Sequence, residues 1–171
     1  MTALADKDAA VQIRPLTHDD LPHASALCLE AFTQAVAPTL PAQGVATFAR
    51  VAAADAFAER LQGDNLILAA VIDAAIVGLI ELKEGRHIAM LFVAPCWQRK
   101  GIGARLMSAA LEHARVEVVT VRASLSSVPA YQRYGFALAG EVNAFAGMTY
   151  QPMEKRLPGW HGRRPGHALA T

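Results

Sequence analysis

Three apolar runs joined by very short connections constrain this chain more than anything else in it. Residues 66–72 are continuously apolar, Asp73 and Ala74 follow, and residues 75–82 are apolar again apart from Glu81. A turn around Glu84 and Gly85 leads to the third run, His87-Ile-Ala-Met-Leu-Phe-Val93. Runs of seven or eight residues are too short for buried helices at this spacing. Connections of two to four residues leave room only for hairpins, so the middle of the chain predicts an antiparallel meander. Pro95 ends the third strand, because it has no N–H to donate to a ladder.

Helical periodicity flanks this meander. Leu21, Ala24, Leu27 and Ala31 recur at helix spacing after the capping candidates Thr17 and Asp19, which predicts a helix to about Ala35. Pro38 and Pro41 break it. Residues 47–61 are alanine-rich, carry Phe48, Val51, Phe57 and Leu61, and stop at Gly63, which predicts a single second helix. Ile102, Leu106, Ala110 and Ala114 line one face of a central helix over residues 101–115. Strands are expected at residues 11–16, 117–121, 136–142 and 148–157, with a short helix at residues 128–134 ended by Gly135. The sum is a mixed α/β (α+β) chain with one domain over residues 1–157. Residues 158–171 are Gly-, Arg- and His-rich and read as a mobile C-terminal tail.

Charge excludes several partners. With 16 Lys and Arg against 15 Asp and Glu, nothing global attracts nucleic acid or an anionic membrane. Lys155, Arg156, Arg163 and Arg164 around Trp160 read as a solvated tail. The start of the chain carries Asp6, Lys7 and Asp8 without an apolar run, unlike a signal peptide, and residues 66–80 are too short to span a bilayer. Cys28 and Cys96 form neither a disulfide framework nor a metal cluster, and no metal site is expected. A soluble, cytoplasmic protein is expected.

Charge is nonetheless concentrated at one place. Gln98-Arg99-Lys100-Gly101-Ile102-Gly103-Ala104 joins a strand to a helix. Arg99, Lys100 and Arg105 crowd a helix N-terminus, whose own partial charge is positive, so an anion is needed to balance them. The glycines let backbone N–H groups converge into a nest for that anion. Lys100 precedes the first glycine, unlike a Walker A loop, and Leu106 stands where a dinucleotide fingerprint needs glycine or alanine. A solvated basic turn is the plain alternative.

A second segment, Ser124-Leu-Ser-Ser-Val-Pro-Ala-Tyr131-Gln-Arg-Tyr134-Gly135-Phe136, follows the next strand. Together the two segments resemble the GNAT superfamily of N-acetyltransferases, which pairs a Q/R-x-x-G-x-G/A loop with a downstream Y-x-x-x-G-F segment. Ile13-Arg-Pro-Leu16 and Leu91-Phe-Val-Ala-Pro95 are similar to that family too. The resemblance implies a mostly antiparallel, splayed central sheet flanked by helices, with acetyl-CoA in the opening. Its pyrophosphate would lie on Gln98, Arg99, Lys100, Gly101, Ile102, Gly103 and Ala104. Its pantetheine would run along Leu91, Phe92 and Val93 and reach Ser124, which stands where many members carry asparagine. Tyr131 would protonate the departing thiolate. His87, with Glu81 or water as alternatives, would take the proton of the amine. The expected reaction is direct attack of a primary amine, on a small molecule or peptide, in a ternary complex. A non-catalytic acetyl-CoA sensor on the same fold is the alternative. The acceptor and a homodimer through the C-terminal strand are left open by the sequence.

Overall fold

The computed structural model of the protein describes residues 10–160. The elements are β1 (Gln12–Pro15), α1 (Leu21–Ala35), α2 (Ala42–Val51), α3 (Ala54–Gln62), β2 (Asn65–Ile72), β3 (Ala75–Lys83), β4 (His87–Val93), α4 (Ile102–Leu111), β5 (Val118–Ala123), α5 (Val128–Arg133), β6 (Ala137–Leu138), β7 (Asn143–Phe145) and β8 (Met148–Arg156). The eight strands form an open sheet in the order β1-β2-β3-β4-β5-β8-β6, with β7 paired to β8. The meander is present as expected. Asp73 and Ala74 both adopt positive φ, 48° and 63°. That is the backbone a two-residue hairpin needs.

Every strand pair is antiparallel except one. β4 and β5 run parallel and pair only at His87 with Thr120 and at Ile88 with Val121. From Ala89 onward, β4 pairs only with β3. The sheet is therefore split along its length, joined at one end of this seam and open at the other.

Each face carries its own core. Ile102, Leu106, Met107 and Ala110 of α4 pack on Ile80, Leu82, Ile88, Val119 and Val121. On the opposite face, Leu27, Phe32, Phe48 and Phe57 of α1, α2 and α3 pack on Ile67, Leu79, Met90 and Phe92. Burying each of these side chains other than Ala110 contributes about 1.5–3 kcal/mol. A bulge sets the phase of β4. Glu81 pairs with Met90 and Leu82 with Ile88, so Ala89 is an extra residue. As a result Ile88 points to the α4 face while Met90 points to the α1 face, which strict alternation would forbid.

Two expectations are corrected. The single helix over residues 47–61 is two helices. Ala53 is extended (φ −63°, ψ 145°) and starts α3. No breaker residue marks the spot. Ala52 is fully buried, and Arg60 Nη1 donates to the Val51 carbonyl at 2.9 Å, so tertiary packing turns a good helical sequence. The strand over residues 136–142 shrinks to Ala137–Leu138. The chain instead makes a hairpin of β7 and β8 through Ala146 and Gly147, both at positive φ. α2 docks on that turn. A Cβ on Gly44 would collide with the Gly147 carbonyl, and Thr47 Oγ1 donates to the Ala146 carbonyl at 2.8 Å.

Pro158, Gly159 and Trp160, the start of the expected tail, line a shallow cavity against α4. The rest of the tail lies outside the described residues. Among the described residues no helix is long and apolar enough to cross a membrane.

Candidate active site

The opening between β4 and β5 is a cavity of about 490 Å³. That size suits a small-molecule site. Leu91, Phe92, Val93, Gln98, Ser124 and Tyr131, all expected at the site, line it.

At one mouth stands the N-terminus of α4. Its first helical bond runs from Arg105 N–H to the Gly101 carbonyl, 3.1 Å. The amides of Ile102, Gly103 and Ala104 precede that bond and need another acceptor. Arg99 and Gly101 both have positive φ, 61° and 81°. A Cβ on Gly101 would meet nothing within 4 Å. This open turn with converging amides fits a pyrophosphate. Of the expected cations only Arg99 and Lys100 stay at the turn. Lys100 Nζ lies 4.7 Å over the Trp97 ring. Arg105 is drawn away, donating to the Val11 carbonyl at 3.1 Å. Gln98 Nε2 donates to the Val93 carbonyl at 3.1 Å and so ties the turn to the end of β4.

Gly103 has a different reason to be glycine from the one the motif suggests. It is buried, and a Cβ there would collide with the hydroxyl of Tyr134. Tyr134 is half-buried, and its carbonyl accepts from Lys155 Nζ at 2.7 Å. Its ring stands edge-on to Tyr131, centroids 6.0 Å apart. Tyr134 thus seats on α4 and walls the cavity beside Tyr131.

Tyr131 is 6% exposed, held edge-on by Phe136 at 5.6 Å as well. Among the described residues its hydroxyl has no hydrogen-bond partner, although the residue lines the cavity. Burial, and secondarily Tyr134, push its pKa well above the ordinary tyrosine range. The phenol is therefore neutral and able to donate at any physiological pH.

Ser124 follows β5 directly, and its Oγ lies 2.7 Å from Ser127 Oγ. Ser126 and Ser127 also face the cavity. The run Ser124-Leu-Ser-Ser was visible in the sequence, but only its first serine falls on a family position.

The two base candidates stand apart from this opening. His87 lies at the closed end of the seam, with Nδ1 2.8 Å from Thr120 Oγ1, and does not line the cavity. Burial first, then Arg122, Arg86 and Lys83, lower its pKa. Glu81 is 1% exposed, not an open strand carboxylate. It accepts from Arg60 Nε at 2.7 Å and Asn65 Nδ2 at 3.1 Å beneath α3, and is committed to that buried ion pair. Cys28 is buried nearby and its thiol is pushed up by burial. Cys96 is exposed and free.

The far side of the cavity could not be placed from the sequence. Phe32 of α1 stacks on Phe48 of α2, centroids 3.9 Å apart and planes within 12°. Phe92 meets Phe48 edge-on at 5.3 Å. Ala31, Ala35, Val36, Val51 and Met148 complete an apolar wall. Arg122 of β5 is the one charged side chain among the described lining residues.

A sheet parted at a parallel seam, with a glycine-containing turn and a helix N-terminus at its mouth, is the arrangement that the resemblance to the acetyltransferases implies. The chain belongs to the GNAT acetyltransferase family: the model of the acetyltransferase (GNAT) domain matches residues 36–157. It is 29% identical over 126 residues to the uncharacterized N-acetyltransferase YafP of Escherichia coli (strain K12), covering 74% of this chain and 81% of that protein. A GCN5-related N-acetyltransferase structure from Rhodopseudomonas palustris matches with a TM-score of 0.76 at 25% identity, over 85% of this chain and 95% of that one. The PaiA N-acetyltransferase of Thermoplasma acidophilum, solved in complex with coenzyme A, shares the fold with a TM-score of 0.73 at 21% identity, over 86% of this chain and 99% of that one.

Proposed function

We propose that this chain transfers the acetyl group of acetyl-CoA to a primary amine by direct attack within the cavity between β4 and β5. The observation that carries the reading is Tyr131, a buried tyrosine whose hydroxyl is left without a protein partner in that cavity. The ring is packed while the hydroxyl opens on the cavity, where a ligand can meet it. A protein that only sensed acetyl-CoA would need no such proton donor.

When bound, acetyl-CoA supplies the activated acyl group as a thioester. The amides of Ile102, Gly103 and Ala104, with Arg99 and Lys100, hold its pyrophosphate. The unpaired edge of β4 from Ala89 to Val93 offers backbone groups to the pantetheine arm, and its N–H groups donate to the acyl oxygen as negative charge gathers there. Ser124 supports the same arm. The amine nitrogen forms a bond to the acyl carbon, the carbon–sulfur bond breaks, and Tyr131 gives its proton to the sulfur. The proton lost by the amine passes through water to His87, which lies on the same sheet face as the α1 and α2 wall. Its lowered pKa keeps it neutral and receptive near pH 7.

The test is thermal unfolding with and without acetyl-CoA, followed by thiol release on adding amines. A ligand at 100 times its Kd stabilises the fold by about 2.7 kcal/mol. An unchanged melting temperature in millimolar acetyl-CoA would end this reading.

A further inference from the structure

We infer that the acceptor is an amine carried by an apolar or aromatic body with a carboxylate close to it, a hydrophobic α-amino acid, and that Arg122 selects it. This rests on the cavity being the place where acetyl-CoA meets an amine.

Two features of the cavity wall lead to the inference. The first is what the wall lacks. Among its described residues there is no Asp or Glu. A polyamine or other polycation would enter with its extra charge unmatched, which is costly in an apolar cavity. The stacked Phe32 and Phe48, with Phe92, Val36 and Met148, instead offer a surface for an aromatic or branched apolar group.

The second is Arg122. It alternates with Val121 and Ala123, which face α4, so it projects to the face where α1 and α2 form the wall. It has no salt bridge and no hydrogen bond among the described residues. An acid is nearby. Glu154 pairs with Thr120, while Arg122 pairs with Pro152. The guanidinium turns from that diagonal neighbour and lies 4.9 Å over the ring of Tyr150, toward the end of β5 where Ser124 lines the cavity. Stacking on a ring fixes the guanidinium plane and leaves its edge N–H groups free for a planar, bidentate carboxylate. Lys83 adds positive charge near the same end of β4, and Arg86, although paired with Glu84, adds to the field that disfavours a charged His87. An anionic group on the acceptor would meet this field. An amine without one would meet only repulsion once protonated.

The experiment is steady-state thiol release by the full chain at saturating acetyl-CoA. The acceptors are L-phenylalanine, L-phenylalaninamide, phenethylamine and spermidine, compared as kcat/KM per neutral amine. L-Phenylalanine is expected to exceed the amide and phenethylamine by about 10- to 100-fold, the range for a hydrogen bond to a charged group. Arg122→Gln should collapse that ratio through the KM of the amino acid, with the KM for acetyl-CoA unmoved, and Arg122→Lys should restore part of it. Equal turnover of the uncharged analogues, preference for spermidine, or a ratio that survives Arg122→Gln overturns the inference. If none of the four is turned over, calorimetry on the CoA-saturated protein decides. N-acetyl-L-phenylalanine must then bind more tightly than N-acetylphenethylamine, and equal or absent binding also overturns it. Acetyl-CoA stabilisation separates the two levels. Its absence removes the proposed reaction itself, and its presence with the wrong acceptor preference removes only the role of Arg122.

Discussion

The two sides of the cavity are built on different principles. In the proposed function, the side at the start of α4 recognises its ligand with backbone. Its working parts are amides that precede the first helical bond and glycines at Gly101 and Gly103. The side facing α1 and α2 works with side chains from five separate stretches: Phe32, Phe48, Phe92, Arg122 and Met148. A backbone site demands particular φ angles and small residues at fixed spacing, so it leaves a mark in the sequence. A side-chain wall assembled from distant elements can be made of ordinary core residues, and leaves none. On the proposed function, the contrast would let the acceptor wall vary while the backbone site for the donor stays fixed.

The largest effect that could break this division lies between the two sides, at Tyr131. Tyr131→Phe removes only the hydroxyl proposed as proton donor. It should lower kcat by about 10²- to 10⁴-fold while the KM for acetyl-CoA stays nearly constant. Tyr134→Phe should lose much less. Equal small losses in steady-state assays of both variants would make Tyr131 a packing residue.

The next effect concerns the donor side. Gly103 is pinned by the Tyr134 hydroxyl, so the two positions should couple. Gly103→Ala forces Tyr134 to move, whereas in a Tyr134→Phe background the obstructing oxygen is gone and alanine gains its helix preference of roughly 1 kcal/mol. Denaturant unfolding of the four proteins should give a coupling of about 0.5–3 kcal/mol. Additive effects would show that Gly103 is small for the ligand alone.

On the acceptor side, Phe48→Leu keeps an apolar residue but removes the stack on Phe32. It should raise the acceptor KM by up to about tenfold, at a stability cost of roughly 1–3 kcal/mol, and leave stabilisation by acetyl-CoA unchanged. A shift in acetyl-CoA affinity instead would blur the boundary between the two sides.

The smallest effect is in pH dependence. His87 is protonated only below the usual histidine value, because burial and Arg122, Arg86 and Lys83 disfavour its charged form. If it receives the proton, the acid limb of kcat/KM falls as pH drops through a pKa below about 6.5. Arg122→Gln should move that limb upward, and His87→Gln should remove it. A limb that persists in the His87 variant would leave water alone as the acceptor of the proton.

How much the residues foretold follows the same line. The meander was legible because its turns are two to four residues long, and Asp73-Ala74 sits where expected. The α4 stripe of Ile102, Leu106 and Ala110 was legible because α4 buries one face. The break at Ala53 was not, since three successive alanines, Ala52 to Ala54, favour continuing the helix and only the Arg60 bond and the burial of Ala52 oppose it. The bulge at Ala89 was hidden too, because residues 87–93 are nearly all apolar and show no alternation whose phase could slip. Arg122 carried a signal that went unused. It is a charge in a strand whose neighbours are buried, on the face away from α4.

The two-position pairing of β4 with β5 has a consequence for how the protein keeps to itself in a crowded solution. A strand with unpaired N–H and C=O groups ordinarily invites another chain to add to the sheet, and seeds aggregation. Here the exposed row from Ala89 to Val93 lies inside the sheet rather than at its rim, with β5 alongside and joined at His87 and Ile88. A foreign strand could pair there only by prising the two halves of the sheet apart. The chain can thus keep a strand permanently ready for a ligand without offering it to its neighbours.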